Sequence, residues 1–223
     1  MKQIMTDRQI RIKALIKSII SYLDKHRADM SGVEMTLRKL EKIDLSDQQL
    51  VDINPKGTRH ERVLNKAISE INAQQLNEIA SCLYAAKDDL VWLEDNLQYY
   101  QPGANLGPGY KNCNLHTLLI GPNSCGYQSD DFLLGVFMLG PRTLYRDHKH
   151  DAPELYLNLS DKSGWRFELG EWKDYPAGSL VWNEPGERHA ARVYEEPFIS
   201  IFAWLENINS PCQVLYFDSF CLR

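Results

Sequence analysis

The stretch HKHDAPELY, residues 148–156, decides how this chain is read. In an extended strand successive side chains point to opposite faces, so His148 and His150 share a face and Lys149 takes the other. Asp151, Ala152 and Pro153 supply a turn. Beyond it Glu154 and Tyr156 again share one face. Two imidazoles and a carboxylate turned into one interior can bind a divalent first-row metal. A second stretch, GSLVWNEPGERH at 178–189, extends the set. Its Pro185-Gly186 turn returns the chain and sets His189 at the start of a strand, as a fourth ligand. The candidate metal ligands are therefore His148, His150, Glu154 and His189. One divalent transition metal ion is expected, and Fe, Mn, Zn, Co and Ni all suit such donors.

Both stretches lie in a β-like half. Strand candidates follow one another at 116–120, 132–139, 155–159, 165–169, 179–182, 190–194, 198–205 and 214–217, separated by GPNSCG, GPRT, SDKSG, YPAG, NEPGE and EEP. That rhythm of short strands and turn signals predicts a sandwich or barrel, and we expect one antiparallel barrel. The first hundred residues are different. They hold two of the 13 Gly and one of the 10 Pro. Ile12, Leu15, Ile16, Ile19 and Leu23 recur at helical spacing behind Thr6-Asp7, and Leu76, Ile79, Ala80 and Leu83 repeat the pattern. Further helices are expected at 33–43 and 59–71, with a break at Asn54-Pro55-Lys56-Gly57. The division is a helical segment over 1–100 and a β domain over 101–223 that carries the metal site, with a Gly/Pro-rich connection at 100–115. The helical stripes are expected to pack on the β domain or on a second subunit of a homodimer.

Composition narrows the function. The 223 residues carry 25 Lys and Arg against 30 Asp and Glu, a net charge of -5, with no basic stripe, so no nucleic-acid partner is expected. No apolar run reaches a membrane-spanning length. The charged N-terminus lacks the pattern of a signal peptide, so no membrane association and a cytoplasmic location are expected. Five Cys without CxxC spacing read as reduced thiols. No dinucleotide fingerprint, P-loop or nucleophile-elbow motif is present.

The pattern HxHx3E, followed by GxxH after a short strand, resembles the two-part cupin motif. Gly140 leads the first part, with a longer spacer to His148 than is usual. Gly178 leads the second, with Glu184 where Pro is usual, and Val193 stands where Asn is common. These departures lie in turns and flanks. The resemblance implies an α+β protein whose helical N-terminal segment precedes an antiparallel β-barrel of the cupin, double-stranded β-helix type. A narrower resemblance rests on Tyr156 and Tyr145. HxHx3ExY, with Tyr145 ahead of it, is similar to the cupin-type dimethylsulfoniopropionate (DMSP) lyases. Those enzymes cleave a small zwitterionic sulfonium substrate to dimethyl sulfide and acrylate, and their longer members carry a helical N-terminal segment.

The implied chemistry suits these residues. A metal can polarise the substrate carboxylate and acidify the proton alpha to it, and a base must then reach that proton. Tyr156, beside Glu154, is the expected base, since a neighbouring cation favours a phenolate. Tyr145 is expected to hydrogen-bond the carboxylate or to position the base. The competing role for Tyr156 is a core aromatic that braces Glu154. Aromatic faces can receive the sulfonium, and Trp182, Trp204, Phe137 and Tyr127 are the candidates. Lys149 points away from the ligands. A cupin dioxygenase or isomerase, or a non-catalytic sensor or sugar-binding cupin, uses the same ligands, and fold and metal set do not separate these chemistries.

Overall fold

The computed structural model describes residues 5–216. Helix α1, Asp7–Lys25, starts at a capping box in which the Thr6 hydroxyl receives the Gln9 amide and the Gln9 side chain reaches back to the Thr6 amide. Its expected stripe is buried along its whole length. Helices α2 (Ser31–Leu40), α3 (Glu61–Ser69) and α4 (Asn77–Ala86) follow, and the short α5 (Pro108–Asn112) sits within the Gly/Pro-rich connection.

Among the described residues ten strands form two five-stranded antiparallel sheets. The first has the order β1 (Asn114–Ile120), β2 (Leu133–Leu139), β9 (Phe198–Trp204), β4 (Glu154–Asn158), β7 (Leu180–Asn183). The second runs β10 (Gln213–Val214), β3 (Leu144–Lys149), β8 (His189–Arg192), β5 (Lys162–Phe167), β6 (Lys173–Pro176). Alternation assigns their faces. Val136, Met138, Leu155, Leu157, Ile199 and Ile201 join the helical stripes in one buried cluster. Phe137, Tyr156, Phe198 and Trp204 meet Tyr145, Trp165 and Ala191 of the second sheet in another. The helices thus lie on the outer face of the first sheet, and the second sheet covers its inner face.

The expected single barrel is corrected in one respect: no ladder joins the two sheets among the described residues, so the hydrogen bonding does not close into a cylinder. At the corner between β6 and β7 the helical layer takes up part of the backbone. There the Gly178 carbonyl accepts the Tyr22 hydroxyl at 2.9 Å and the Ala177 carbonyl accepts the Gln75 amide at 3.3 Å. The corner turns through Gly178 at φ 86°, a left-handed conformation that favours glycine. The helical layer, rather than a neighbouring strand, occupies these carbonyls.

Strand β6 falls where the sequence reads as a turn. It is a solvent-facing edge strand ending in Pro176, and edge strands tolerate charge and proline. The strand expected at 214–217 is seen only as Gln213–Val214, and Phe217 lies outside the described residues, as does Cys221. Cys82, Cys113, Cys125 and Cys212 are free thiols. Among the described residues no helix is long and apolar enough to cross a membrane.

Helix α2 approaches β7 so closely that a Cβ on Gly32 would lie 2.2 Å from the Trp182 ring. Helix propensity alone favours Gly32→Ala by about 1 kcal/mol. Overpacking should reverse that sign and cost about 1–3 kcal/mol in urea unfolding. Gly57→Ala, with open space around it, should cost far less. An unchanged midpoint for Gly32→Ala would show that α2 does not press on β7.

Candidate metal centre and its aromatic cavity

His148 in β3 stands directly opposite His189, the first residue of β8. Their rings lie 4.2 Å apart, and His150, one residue beyond β3, brings its ring to 5.0 Å from that of His189. All three are buried, and each offers a ligand atom within 4.8 Å of the others. The backbone settles how each ring presents itself. His148 Nδ1 meets the Arg146 carbonyl at 2.8 Å, His150 Nδ1 the Ala152 carbonyl at 2.8 Å, and His189 Nδ1 the Glu187 carbonyl at 2.9 Å. A carbonyl only accepts, so each Nδ1 carries the proton and each Nε2 of a neutral ring keeps a lone pair.

Burial, joined by the neighbouring His150, pushes His148 down to about 3. Burial beside His148 and His150 likewise holds His189 well below the ordinary histidine range. Both rings are therefore neutral near pH 7, the form in which imidazole binds a metal.

Glu154 opens β4 between two registered neighbours, Asn183 of β7 and Trp204 of β9. Both donate to it. Trp204 Nε1 reaches Oε1 at 2.7 Å and Asn183 Nδ2 reaches Oε2 at 2.8 Å. Burial raises the Glu154 pKa, but His150, His189 and the Trp204 hydrogen bond outweigh it, and the group titrates below its usual value. Its Oε2 lies 3.1 Å from His150 Nε2 and 3.7 Å from His189 Nε2.

In a neutral ring with Nδ1 protonated, each of those Nε2 atoms is an acceptor that faces a carboxylate. Such groups repel unless they share a cation. His189 Nε2 is moreover a buried nitrogen with no hydrogen-bond partner. Three imidazoles and one carboxylate, each fixed from behind by a carbonyl or a donor, are a donor set that fits a metal ion. Of the four residues the sequence singled out, the three histidines form one compact group, and Glu154 stands beside His150 and His189.

A cavity of about 60 Å³ adjoins this group. Tyr156 lines it, two residues beyond Glu154 on the same strand face. Its ring lies 4.9 Å from Trp165 of the opposite sheet. Burial, then the adjacent Glu154 carboxylate, holds its phenol well above the ordinary tyrosine value. Tyr145 lines the cavity too, with its ring 4.2 Å from His148 and 5.1 Å from Tyr110. Of the four aromatics expected near a cation, Phe137 and Trp204 face the cavity. Trp182 packs towards α2 instead, and the Tyr127 hydroxyl donates to the Leu45 carbonyl under the helical layer.

Several wall residues were not singled out by the sequence. Asn183 is found only through strand register. Asp95, Tyr99, Tyr100 and Tyr110 come from the segment leading into the sheets, where the Tyr99-Tyr100 pair was the sole local signal. His116 also lines the wall, and burial lowers its pKa to about 4.

Comparison with known proteins adds three findings. The family model described as dimethylsulfoniopropionate lyase matches residues 34–200. The DMSP lyase DddQ of Ruegeria pomeroyi is 25% identical over 114 residues, which are 51% of this chain and 56% of that protein. The chain therefore spans about half the length of the curated relative it matches. In structure, a chain from the crystal structures of the DMSP lyases RdDddP and RnDddQII superposes with TM-score 0.70 at 15% identity, covering 94% of this chain and 100% of that one. The DddQ crystal structure from Ruegeria pomeroyi gives 0.65 at 18% identity, covering 91% and 96%. At these identities the two structures share the fold.

Two outcomes follow from the geometry. His150→Ala and His189→Ala should each lose most bound metal by elemental analysis, whereas Lys149→Ala should keep it. Full metal content in both folded histidine variants would refute the four-residue set. His116 gives a pH effect. Its folded pKa of about 4 lies below the unfolded value of 6.5, so the unfolded chain binds the proton more readily. The stability that depends on the neutral ring is full above pH 6.5 and is lost as pH falls towards 4. The loss is at most about 3 kcal/mol. His116→Gln should flatten that part of the acid-unfolding curve.

Proposed function

The chain belongs to the dimethylsulfoniopropionate lyase family, and on that premise we propose that it is a metal-dependent carbon–sulfur lyase. The proposed reaction cleaves DMSP to dimethyl sulfide and acrylate by β-elimination. One observation carries the reading: the family model spans most of the chain and includes a buried three-histidine group, with Glu154 beside it, next to an aromatic cavity. The two facing sheets, with these residues gathered at one end, fit a cupin architecture. In this reading residues 101–223 form the domain that carries the chemistry. Residues 1–100 form the layer behind it, and their last members complete the cavity wall.

His148, His150, Glu154 and His189 would hold the divalent ion. Bound there, the ion would supply Lewis-acid polarisation of a substrate carboxylate and positive charge that favours a neighbouring phenolate. Tyr156 is the base. Without positive charge nearby its phenol keeps its proton, because burial and Glu154 both oppose ionisation. As phenolate, its oxygen removes the proton alpha to the carboxylate. The C–H electron pair becomes the carbon–carbon double bond, and the β-carbon–sulfur bond breaks. Sulfur leaves with the electron pair of the broken carbon–sulfur bond, as neutral dimethyl sulfide. Trp204 and Phe137 present apolar, electron-rich faces to the sulfonium before it departs. Tyr145 positions the substrate from the wall opposite Tyr156.

Tyr156→Phe removes one oxygen and leaves the ring packing in place. The variant should fold and bind metal as the parent does, and release dimethyl sulfide at least about a hundredfold more slowly in a headspace assay. Near-normal turnover would remove Tyr156 from the mechanism. No dimethyl sulfide from the metal-loaded parent would refute the lyase reading, and oxygen uptake by the iron-loaded protein would favour a dioxygenase.

A further inference from the structure

We propose that the outer face of the second sheet carries an anion site for hydrogenphosphate or a small hydroxylated phosphate ester, built from Arg146, Arg166, Arg192 and Asp147. It lies across the sheet from the metal centre and does not depend on the lyase reading.

The face follows from strand register. Tyr145, Ala191 and Trp165 pair side by side across β3, β8 and β5 and turn into the inner cluster. Arg146, Arg192 and Arg166 each come one residue later, so alternation turns them outward. With Trp172, just before β6, they line a groove of about 660 Å³. Four arginines line it against one acid, Asp147, in a chain whose net charge is -5. Asp174 and Glu195, which pair with Arg192 and Arg142 at the margin, still leave positive charge in excess.

The arginines are held in place before any ligand arrives. Arg166 bonds Asp147, and its guanidinium carbon lies 4.7 Å from the centre of the Trp172 ring. The Arg192 guanidinium lies 4.8 Å from the same ring and donates to the Tyr194 hydroxyl at 2.8 Å. Its side chain crosses Gly164 so closely that a Cβ there would come within 2.5 Å of Nε. Arg146 rests on Gly107 and donates to the Asn105 carbonyl at 3.0 Å, a neutral partner that leaves its charge in place. Side chains fixed in this way lose little entropy on binding, and a guanidinium fork matches an oxyanion.

Asp147 sets a second requirement on the ligand. It is 4% exposed, and its Oδ2 takes Arg166. Its Oδ1 is buried with no hydrogen-bond partner among the described residues. A buried acceptor without a donor is costly, and a ligand O–H would supply one. Hydrogenphosphate offers oxygens to the arginines and keeps a P–O–H for Asp147. Sulfate offers the same oxygens and no proton, so the groove should tell the two ions apart.

The test is calorimetry on the metal-loaded protein near neutral pH, with inorganic phosphate, sulfate and glycerol 3-phosphate. The parent should bind inorganic phosphate at least about tenfold more tightly than sulfate. Glycerol 3-phosphate binding above inorganic phosphate would identify the hydroxylated ester as the ligand, and binding below it the free ion. Arg146→Ala and Arg192→Ala should each weaken phosphate binding about tenfold. Asp147→Asn, whose amide can donate, should bring sulfate level with phosphate. A bound metal also attracts phosphate, so the variants locate the ion. Unchanged phosphate affinity in both folded arginine variants would place it at the metal centre and overturn the inference. A parent that binds phosphate no better than sulfate, or neither ion, would overturn it too. Should the arginine variants fail to fold by circular dichroism, Leu144→Glu carries the location test. Leu144 is 48% exposed on the groove wall, and a negative charge there should weaken phosphate binding while every arginine stays in place.

Discussion

An imidazole can present one nitrogen to a metal only if its other nitrogen keeps the proton, and here the backbone makes that choice. Three carbonyls, each two residues from its histidine, hold three Nδ1–H groups. Everything else in the centre follows from this arrangement. The Nε2 atoms converge, Glu154 is turned towards them by Asn183 and Trp204, and the cavity lies alongside. A carbonyl of the local chain is a dependable partner because it moves with the residue that it orients. The geometry of the ligands is thus tied to the local backbone of β3, of the turn after it and of the turn before β8.

Such a polar interior needs support from elsewhere. The space between the sheets contains Glu154, three histidines and several phenols, and their burial contributes little to stability. The hydrophobic contribution comes mainly from the other side of the first sheet, where Val136, Met138, Leu155, Leu157 and Ile201 meet the stripes of α1 and its neighbours. Strand β2 is buried along its whole length, as expected for a strand covered on both faces. The helical layer lets the inner face specialise.

Period-2 alternation made His148, His150, Glu154 and Tyr156 legible, because it depends only on local backbone geometry. The helical stripes were legible for the same reason, through a different period. What escaped depends on partners far apart in the chain. Asn183 and Trp204 flank Glu154 only because β7 and β9 pair on either side of β4. Asp95, Tyr100 and Tyr110 reach the cavity because the connection folds over it, and no periodic pattern marks a connection. The corner at Gly178 receives Tyr22 and Gln75, more than a hundred residues earlier in the chain. Strand β6 was hidden by its own polar edge composition.

Strand β9 lies between β2 and β4, although it is made after both. Until residues 198–204 exist, the first sheet is two separate pieces: a β1–β2 hairpin, and the pair of β4 and β7. Glu154 then lacks the Trp204 donor that anchors one of its oxygens. On the ribosome all three histidines are made before the strand that completes their surroundings. The centre is therefore completed only once β9 is made, and a nascent chain truncated before residue 198 holds every metal-ligand candidate without the sheet that organises them.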